Sequence, residues 1–204
     1  MTLKKLCEMT AVYTDRRDDF VTIADPDNPG KQIYDPNDDP GIWFSAMKTS
    51  INTAYREAAR RLLSPDIRVE TVLGPDGTID LMELTPGVQT VKAVYNEDAS
   101  AGLAFDFETK YRIRVRRGKR GDRVVLQYHY VPDPLESLND EPVFPESMVD
   151  PMVYISLAVS DLWMLERKLE PAQMWQQKYY NLLSSLKRDM KSANMRKIRR
   201  AIFR

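Results

Sequence analysis

The hydrophobic period changes twice along this chain, and that switch constrains the fold more than any single motif. Over residues 42–63, Phe44, Met47, Ile51, Ala54, Ala58 and Leu62 recur at spacings of three and four, the apolar stripe of one helix face. Ser64-Pro65 stops the pattern, because proline lacks an amide donor and clashes with the preceding turn. Residues 67–130 then switch to short runs of β type. Residues 67–73 and 78–84 flank Gly74-Pro75-Asp76-Gly77, and residues 111–116 and 123–130 flank Gly118-Lys119-Arg120-Gly121. Both pairs read as hairpins. Residues 90–95 form a further short β-run. Helical spacing returns over 147–169 in Val149, Met152, Ile155, Val159 and Leu162, with Pro151 tolerated in a first turn. Pro171 opens a last helix whose stripe is Trp175, Tyr179, Leu182, Leu183, Leu186 and Met190.

A short stripe over residues 3–12 (Leu3, Leu6, Cys7, Thr10, Ala11) adds one more helix. Strands grouped between helices imply an α+β fold. The expectation is a helical bundle of about four helices, interrupted by a β-rich insert of five or six strands in a small sandwich or barrel, with an extended C-terminal tail. The corresponding domains are residues 1–66 with 131–191 (a discontinuous helical domain), residues 67–130 (the insert) and residues 192–204 (a basic tail). Residues 25–40 hold four prolines and read as a long loop. Residues 131–151 hold six acids, five prolines and no Lys or Arg, and read as an extended return linker.

Composition narrows the function. Hydrophobic residues make up 43% of the chain, enough for a packed core. No apolar run approaches the roughly 20 residues that span a bilayer, so no membrane partner is expected, and no secretory signal is visible at the start. The single cysteine, Cys7, excludes an internal disulfide and fits a reducing compartment.

Little points to catalysis or to a cofactor. His129 is the one histidine, in Tyr128-His129-Tyr130, and reads as a packed or surface strand residue. With one His and one Cys, zinc-ligand spacings are absent. No Gly-x-Ser-x-Gly elbow and no phosphate-binding glycine loop occurs. Asp25, Asp27 and Asn28 resemble the start of a calcium loop, but Pro26, Pro29 and the missing bidentate Glu break that pattern. The expectation is a chain without cofactor, metal or enzymatic activity.

Charge is more informative. Lys+Arg and Asp+Glu are equal at 30 each, yet residues 187–204 carry +7 and residues 1–186 carry −7. Such a separation usually serves an oppositely charged partner. The basic side chains Lys187, Lys191, Arg196, Lys197, Arg199, Arg200 and Arg204 are interspersed with Met195, Ile198, Ile202 and Phe203. That mixture reads as a segment that docks on a partner, against the plainer reading of a solvated charge run. A second basic group alternates along the strand at 111–116. Arg112, Arg114 and Arg116 should face away from Tyr111, Ile113 and Val115, and Arg117, Lys119, Arg120 and Arg123 continue it. It reads either as a solvated outer face that discourages edge pairing or as a surface for an acidic partner or DNA phosphates.

The order of parts carries a resemblance. Tyr13-Thr14-Asp15-Arg16-Arg17-Asp18 closes the first helix, and Ile51-Asn52-Thr53-Ala54-Tyr55-Arg56-Glu57-Ala58 lies on the next. Val124-Val125-Leu126-Gln127-Tyr128-His129-Tyr130-Val131-Pro132-Asp133-Pro134-Leu135 ends the insert, and Asn139-Asp140-Glu141-Pro142-Val143-Phe144-Pro145-Glu146 leads into the final helices. Over most of its length this chain resembles the head–tail adaptor (connector, head-completion or neck) proteins of tailed bacteriophages. The resemblance implies a structural virion protein at the neck, assembled in the host cytoplasm. Such proteins form a ring matching the twelve-fold portal and enclose the DNA channel. Implied partners are further copies of itself, the portal protein, a tail or second neck protein, and double-stranded DNA passing without sequence recognition. On this pattern residues 187–204 dock on the portal, and residues 67–130 face the tail or the outside. The large insert departs from the small, all-helical adaptors. Two other readings stand beside it: another virion part, such as a tail-completion or tube-terminator protein, and a DNA-binding accessory protein that uses the basic tail.

Overall fold

The computed structural model describes the backbone of residues 1–23, 39–63 and 65–202, and their side chains except at 21–23, 62–63 and 190–202. The chain is mixed α+β, with five α-helices and seven strands among the described residues. It divides into two compact units, residues 1–58 with 134–204 and residues 59–133. The first boundary lies eight residues before the expected 66/67 and the second three residues after the expected 130/131.

The first unit is helical. It contains α1 (Leu3–Tyr13), α2 (Arg17–Ile23), α3 (Asp39–Ala58), α4 (Met152–Leu165) and α5 (Leu169–Ile202). Thr2 caps α1, its hydroxyl accepting from the Lys5 amide at 3.3 Å. Such a cap satisfies one of the amides that a helix start leaves without partners. The amides of Leu3 and Lys4 donate instead to the carbonyls of Asp140 and Leu138. The return segment is therefore bound into the fold. Asn52 on α3 grips it from both sides, accepting from the Leu135 amide at 2.7 Å and donating to the Leu135 carbonyl at 3.0 Å. Lys48 donates to the Glu136 carbonyl, and Tyr55 accepts from the Val143 amide. Leu135, Leu138 and Phe144 are buried, which corrects the expectation of a merely extended linker.

The stripe on α3 buries as its spacing predicts, with Phe44, Met47, Ile51, Ala54 and Ala58 all inaccessible. Leu62 lies in the π-turn Ala59–Leu63 that follows, where its side chain is outside the described residues. Helix α4 starts at Met152 rather than Ser147, because residues 145–150 form turns ahead of it. It is buried on more than one face: Val153, Tyr154, Ser156, Ala158 and Ser160 join the expected Ile155, Val159 and Leu162. Helices α1, α3 and α5 all contact it. Ser160 avoids an unpaired buried hydroxyl by donating to the Ala172 carbonyl at 2.9 Å.

Helix α2 has no counterpart in the sequence reading. It is joined to α3 and α4 by Arg16, whose guanidinium reaches Asp19 at 3.1 Å, Asp39 at 2.9 Å and Glu166 at 3.0 Å. Its face lies over Trp43. Burial raises the Glu166 carboxyl pKa, but hydrogen bonds and charge from Lys168 and Arg16 outweigh it, and the net shift is downward. A depressed carboxyl contributes stability above its ordinary value of 4.5 and loses it as pH falls through the folded value. Arg16→Met is expected to cost about 1–3 kcal/mol, since it strands carboxylates in a partly buried site. Thermal melts at pH 6 and pH 3.5 check this. The variant should lose less on acidification than the wild type, because part of the acid-sensitive stability is already gone.

The second unit is a β-sandwich. Strands β1 (Asp66–Val72), β7 (Arg123–Tyr130), β3 (Val88–Asn96) and β4 (Gly102–Leu103) form one antiparallel sheet in the order β1-β7-β3-β4. Strands β2 (Thr78–Asp80), β6 (Arg112–Val115) and β5 (Phe105–Thr109) form the other, in the order β2-β6-β5. A shared core of Leu73, Ile79, Val91, Val94, Ile113, Val115, Val124, Leu126 and Tyr128 draws on both sheets.

Neither expected hairpin forms, and both are corrected. The turn at 74–77 carries the chain from β1 to β2, which lies in the other sheet, and the turn at 118–121 carries it from β6 back to β7. Alternation identifies strands without naming partners, and glycine-rich turns serve crossings between sheets as readily as hairpins. The two crossings pack together. Gly77 adopts φ +72°, and a Cβ there would sit 2.5 Å from the Gly118 carbonyl oxygen. The hairpins that do form are β5–β6, across Lys110-Tyr111, and β3–β4, where the Asn96 carboxamide accepts from the Ser100 and Ala101 amides.

Candidate docking surfaces

The first surface is the far half of α5. At 34 residues this helix is about 51 Å long, against about 21 Å for the 14 residues of α4. Its first turns are anchored. Ala172 is buried, and the Trp175 ring lies 4.9 Å from Tyr13 with the Lys178 ammonium over it. The Tyr179 hydroxyl donates to Glu57 at 2.6 Å. Beyond Tyr179 no described residue of α5 is fully buried: Leu182, Leu183 and Leu186 are partly buried, and Lys187 and Arg188 are exposed. Full burial on the described part of α5 thus ends before the basic segment begins.

Of the residues expected to dock, Lys187 is an exposed side chain on α5. Lys191, Met195, Arg196, Lys197, Ile198, Arg199, Arg200 and Ile202 lie on its helical backbone, and their side chains are outside the described residues. Phe203 and Arg204 lie outside the described residues altogether. The backbone from Leu169 through Ile202 is assigned to α5. No proline or glycine follows Pro171, so nothing in the sequence stops the helix.

The second surface is the outer face of β6. Ile113 and Val115 are buried and Arg112, Arg114 and Arg116 are exposed, as alternation requires. Tyr111 departs from it, lying half-exposed in the β5–β6 turn. Each arginine meets an acid from its own sheet. Arg112 reaches Asp80 at 3.8 Å, Arg114 pairs with Glu108, and Arg116 forks onto Asp106 with two bonds of 2.7 Å. The Arg116 hydrogen bonds hold the Asp106 carboxyl below its ordinary range. Arg123 pairs with Glu97. Exposed pairs of this kind add little stability, but they cancel the positive field that phosphates would need. Arg117 and Arg120 are exposed and form no ion pair among the described residues. The face is therefore a charge-paired sheet surface more than a basic patch. Neighbouring acids on β2 and β5 could be read from the sequence, but not their register against β6.

A third feature escaped the sequence reading. Met164, Leu165 and Leu169 are 47–62% exposed and flank the tight α4–α5 turn, in which Arg167 adopts φ 61°. Three large apolar side chains within six residues make an apolar corner of the kind that partners cover.

The remaining expectations can be placed briefly. His129 lies on β7 opposite Asp66, half-buried. Asp25, Asp27 and Asn28 lie outside the described residues. Among the described residues no group of three His, Cys, Asp or Glu side chains is arranged to hold a metal, and no helix is long and apolar enough to cross a membrane. Cys7 is buried, and burial drives its thiol far above the ordinary range, away from the reactive thiolate. A groove in the second unit is lined by Asp76, Asp80, Glu83, Glu108, Arg112 and Arg114, but its arginines are the ones already paired. No protein-family model matches this chain, and no curated protein matches it.

Proposed function

We propose that this chain is a structural subunit of the neck of a tailed bacteriophage, a head–tail adaptor that joins the portal to the tail. The observation that carries the reading is the behaviour of α5. Full burial on it ends at Tyr179 among the described residues, while its helical backbone continues through Ile202 along a sequence that mixes cationic and apolar residues. A protein that binds by inserting a terminal helix into a neighbour needs that arrangement. The order of parts supports it as well: a helical unit assembled from both ends of the chain, with a β-sandwich carried between them. In this reading the helical units form the ring around the DNA channel, copies meeting through heterologous contacts that close by rotation. The exposed corner of Met164, Leu165 and Leu169 supplies apolar surface for such a contact. The β-sandwich offers the next docking surface, toward the tail or a second neck protein. The protein acts without a cofactor and without catalysis, in the virion neck after assembly in the host cytoplasm.

Electron microscopy of the chain bound to the portal of its own virion tests this. The expected result is a ring of the portal's rotational symmetry, twelve-fold, with α5 running into the portal. Density with no ring, or a chain that leaves the portal unoccupied, overturns the assignment. The pairing of Arg112, Arg114 and Arg116 with acids disfavours phosphate contacts by the β6 face, and the DNA-binding reading then rests on the basic tail. A salt titration separates the two, because phosphate contacts weaken steeply with salt whereas docking through buried Met, Ile and Phe persists.

A further inference from the structure

We propose that β1 is a self-pairing edge, through which two copies of this chain associate by antiparallel pairing of Asp66–Val72 about a two-fold axis at Val69. All seven residues of β1 pair with β7 on one side. On the other side β1 ends its sheet, and it makes no further backbone hydrogen bond among the described residues. The bonds that flank the strand show which groups are left over. The Tyr130 amide donates to the Pro65 carbonyl, and the Leu73 amide donates to the Asp122 carbonyl. Odd-numbered residues therefore turn their amides and carbonyls toward β7, as an antiparallel ladder alternates. Asp66, Arg68, Glu70 and Val72 turn theirs outward.

An open edge of this length is normally blunted by proline, by charges that repel a second copy, or by a bulge, whereas the charges Arg68 and Glu70 are of opposite sign. Asp66-Ile67-Arg68-Val69-Glu70-Thr71-Val72 has no proline and no lysine, and its register against β7 is unbroken. The opposite side of the sheet is protected: β4 is two residues long, and β3 carries two register shifts. Ile67 and Val69 pack on the sandwich core and are only partly buried, as inward-facing residues of an edge strand are.

Charge selects the partner and the register. The Arg68 guanidinium lies over the Tyr95 ring at 5.3 Å, and neither Arg68 nor Glu70 forms a salt bridge among the described residues. Pairing centred on Val69 sets Arg68 opposite Glu70 of the second copy, twice by symmetry, and aligns the whole strand. Moving the centre to Arg68 brings the two arginines together, and moving it to Glu70 brings the two glutamates together. Like charges directly opposite are unfavourable. A centre at Ile67 aligns only residues 65–69. In the Val69 register the outward-turned residues face one another, which supplies about eight backbone hydrogen bonds. The contact is isologous, unlike the heterologous contacts of a ring that closes by rotation, so it belongs to the free chain and its test is read apart from that of portal docking.

Sedimentation velocity of the full chain over a wide concentration range tests it. The wild type should show a concentration-dependent dimer. Arg68→Glu and Glu70→Arg should each weaken it by about tenfold or more, and R68E/E70R should restore it. Both side chains are exposed, so circular dichroism should show unchanged folding. Oxidative cross-linking gives a second measurement. Val69→Cys should link two copies, because the axis sets residue 69 opposite itself with Cα atoms about 4.5 Å apart, within disulfide range; Ile67→Cys should not. Cys7 is buried and does not compete. A wild type that never dimerises, single reversals without effect, a double reversal that stays monomeric, or equal cross-linking at 67 and 69 would each overturn the proposal.

Discussion

Deleting residues 192–204 should leave a folded chain that no longer joins the portal. The fold should survive because the last fully buried residue described on α5 is Tyr179, well before the deletion point. Docking should fail because Met195, Ile198, Ile202 and Phe203 go with it. Each is worth about 1.5–3 kcal/mol when fully buried, so losing even two of them weakens binding on the order of 100-fold or more. Co-sedimentation with the portal, with a thermal melt of the free chain alongside, reads both parts. Full portal occupancy by the truncated chain would sink the docking assignment. Occupancy by the intact chain that vanishes at moderate salt would shift weight from the apolar side chains to the charges.

The second large effect is expected at Gly77. Gly77→Ala should lower the stability of the β-sandwich by about 2–4 kcal/mol, combining a left-handed backbone with a new contact against fixed main chain. The added Cβ would stand 2.5 Å from the Gly118 carbonyl oxygen and 3.0 Å from its carbonyl carbon, and a side-chain rotation cannot relieve that. Gly118→Ala is the matched control. Its Cβ would also approach to 2.5 Å, but against the terminal methyl Cδ1 of the core residue Leu73, which a rotamer change can shift, while its main-chain approach, 3.3 Å to the Val115 carbonyl oxygen, is longer than at Gly77. It should cost clearly less, about 1 kcal/mol. Urea unfolding of both variants gives the comparison, and equal losses would show that the paired crossings do not control the sandwich.

These two sites also mark where sequence reasoning succeeds and stops. Helix faces were legible because burial follows a local period: Phe44, Met47 and Ile51 on α3 lie where their spacing puts them. The alternation Arg112–Ile113–Arg114–Val115 was legible for the same reason. Strand partners were not, because pairing is non-local. The turns at 74–77 and 118–121 look like hairpin turns, yet they pass the chain between sheets. Strands β4 and β5 lie in residues 102–109, whose pattern is too short and mixed to register as strand. The neutralisation of Arg112, Arg114 and Arg116 depended on that same unseen pairing. Arg16 looked like one charge in a helix-ending motif, and only the fold gathers Asp19, Asp39 and Glu166 around it. At α5 the absence of any breaker after Pro171 is visible in sequence, and the end of full burial at Tyr179 among the described residues is not.

The split of the helical unit across the chain has a consequence during synthesis. Helix α3 ends at Ala58, and α4, which covers it, does not begin until Met152. At about 5–20 residues per second the ribosome needs roughly 5–20 s to bridge that interval. Throughout it, Met47, Ile51 and Tyr55 wait without the helix that will bury them. The sandwich is complete in sequence at Tyr130 and can form first, although it sits in the middle of the chain. Order of emergence and order of completion are thus inverted. The nascent helices α1 and α3 are the stretch most in need of a holding chaperone until α4 leaves the exit tunnel.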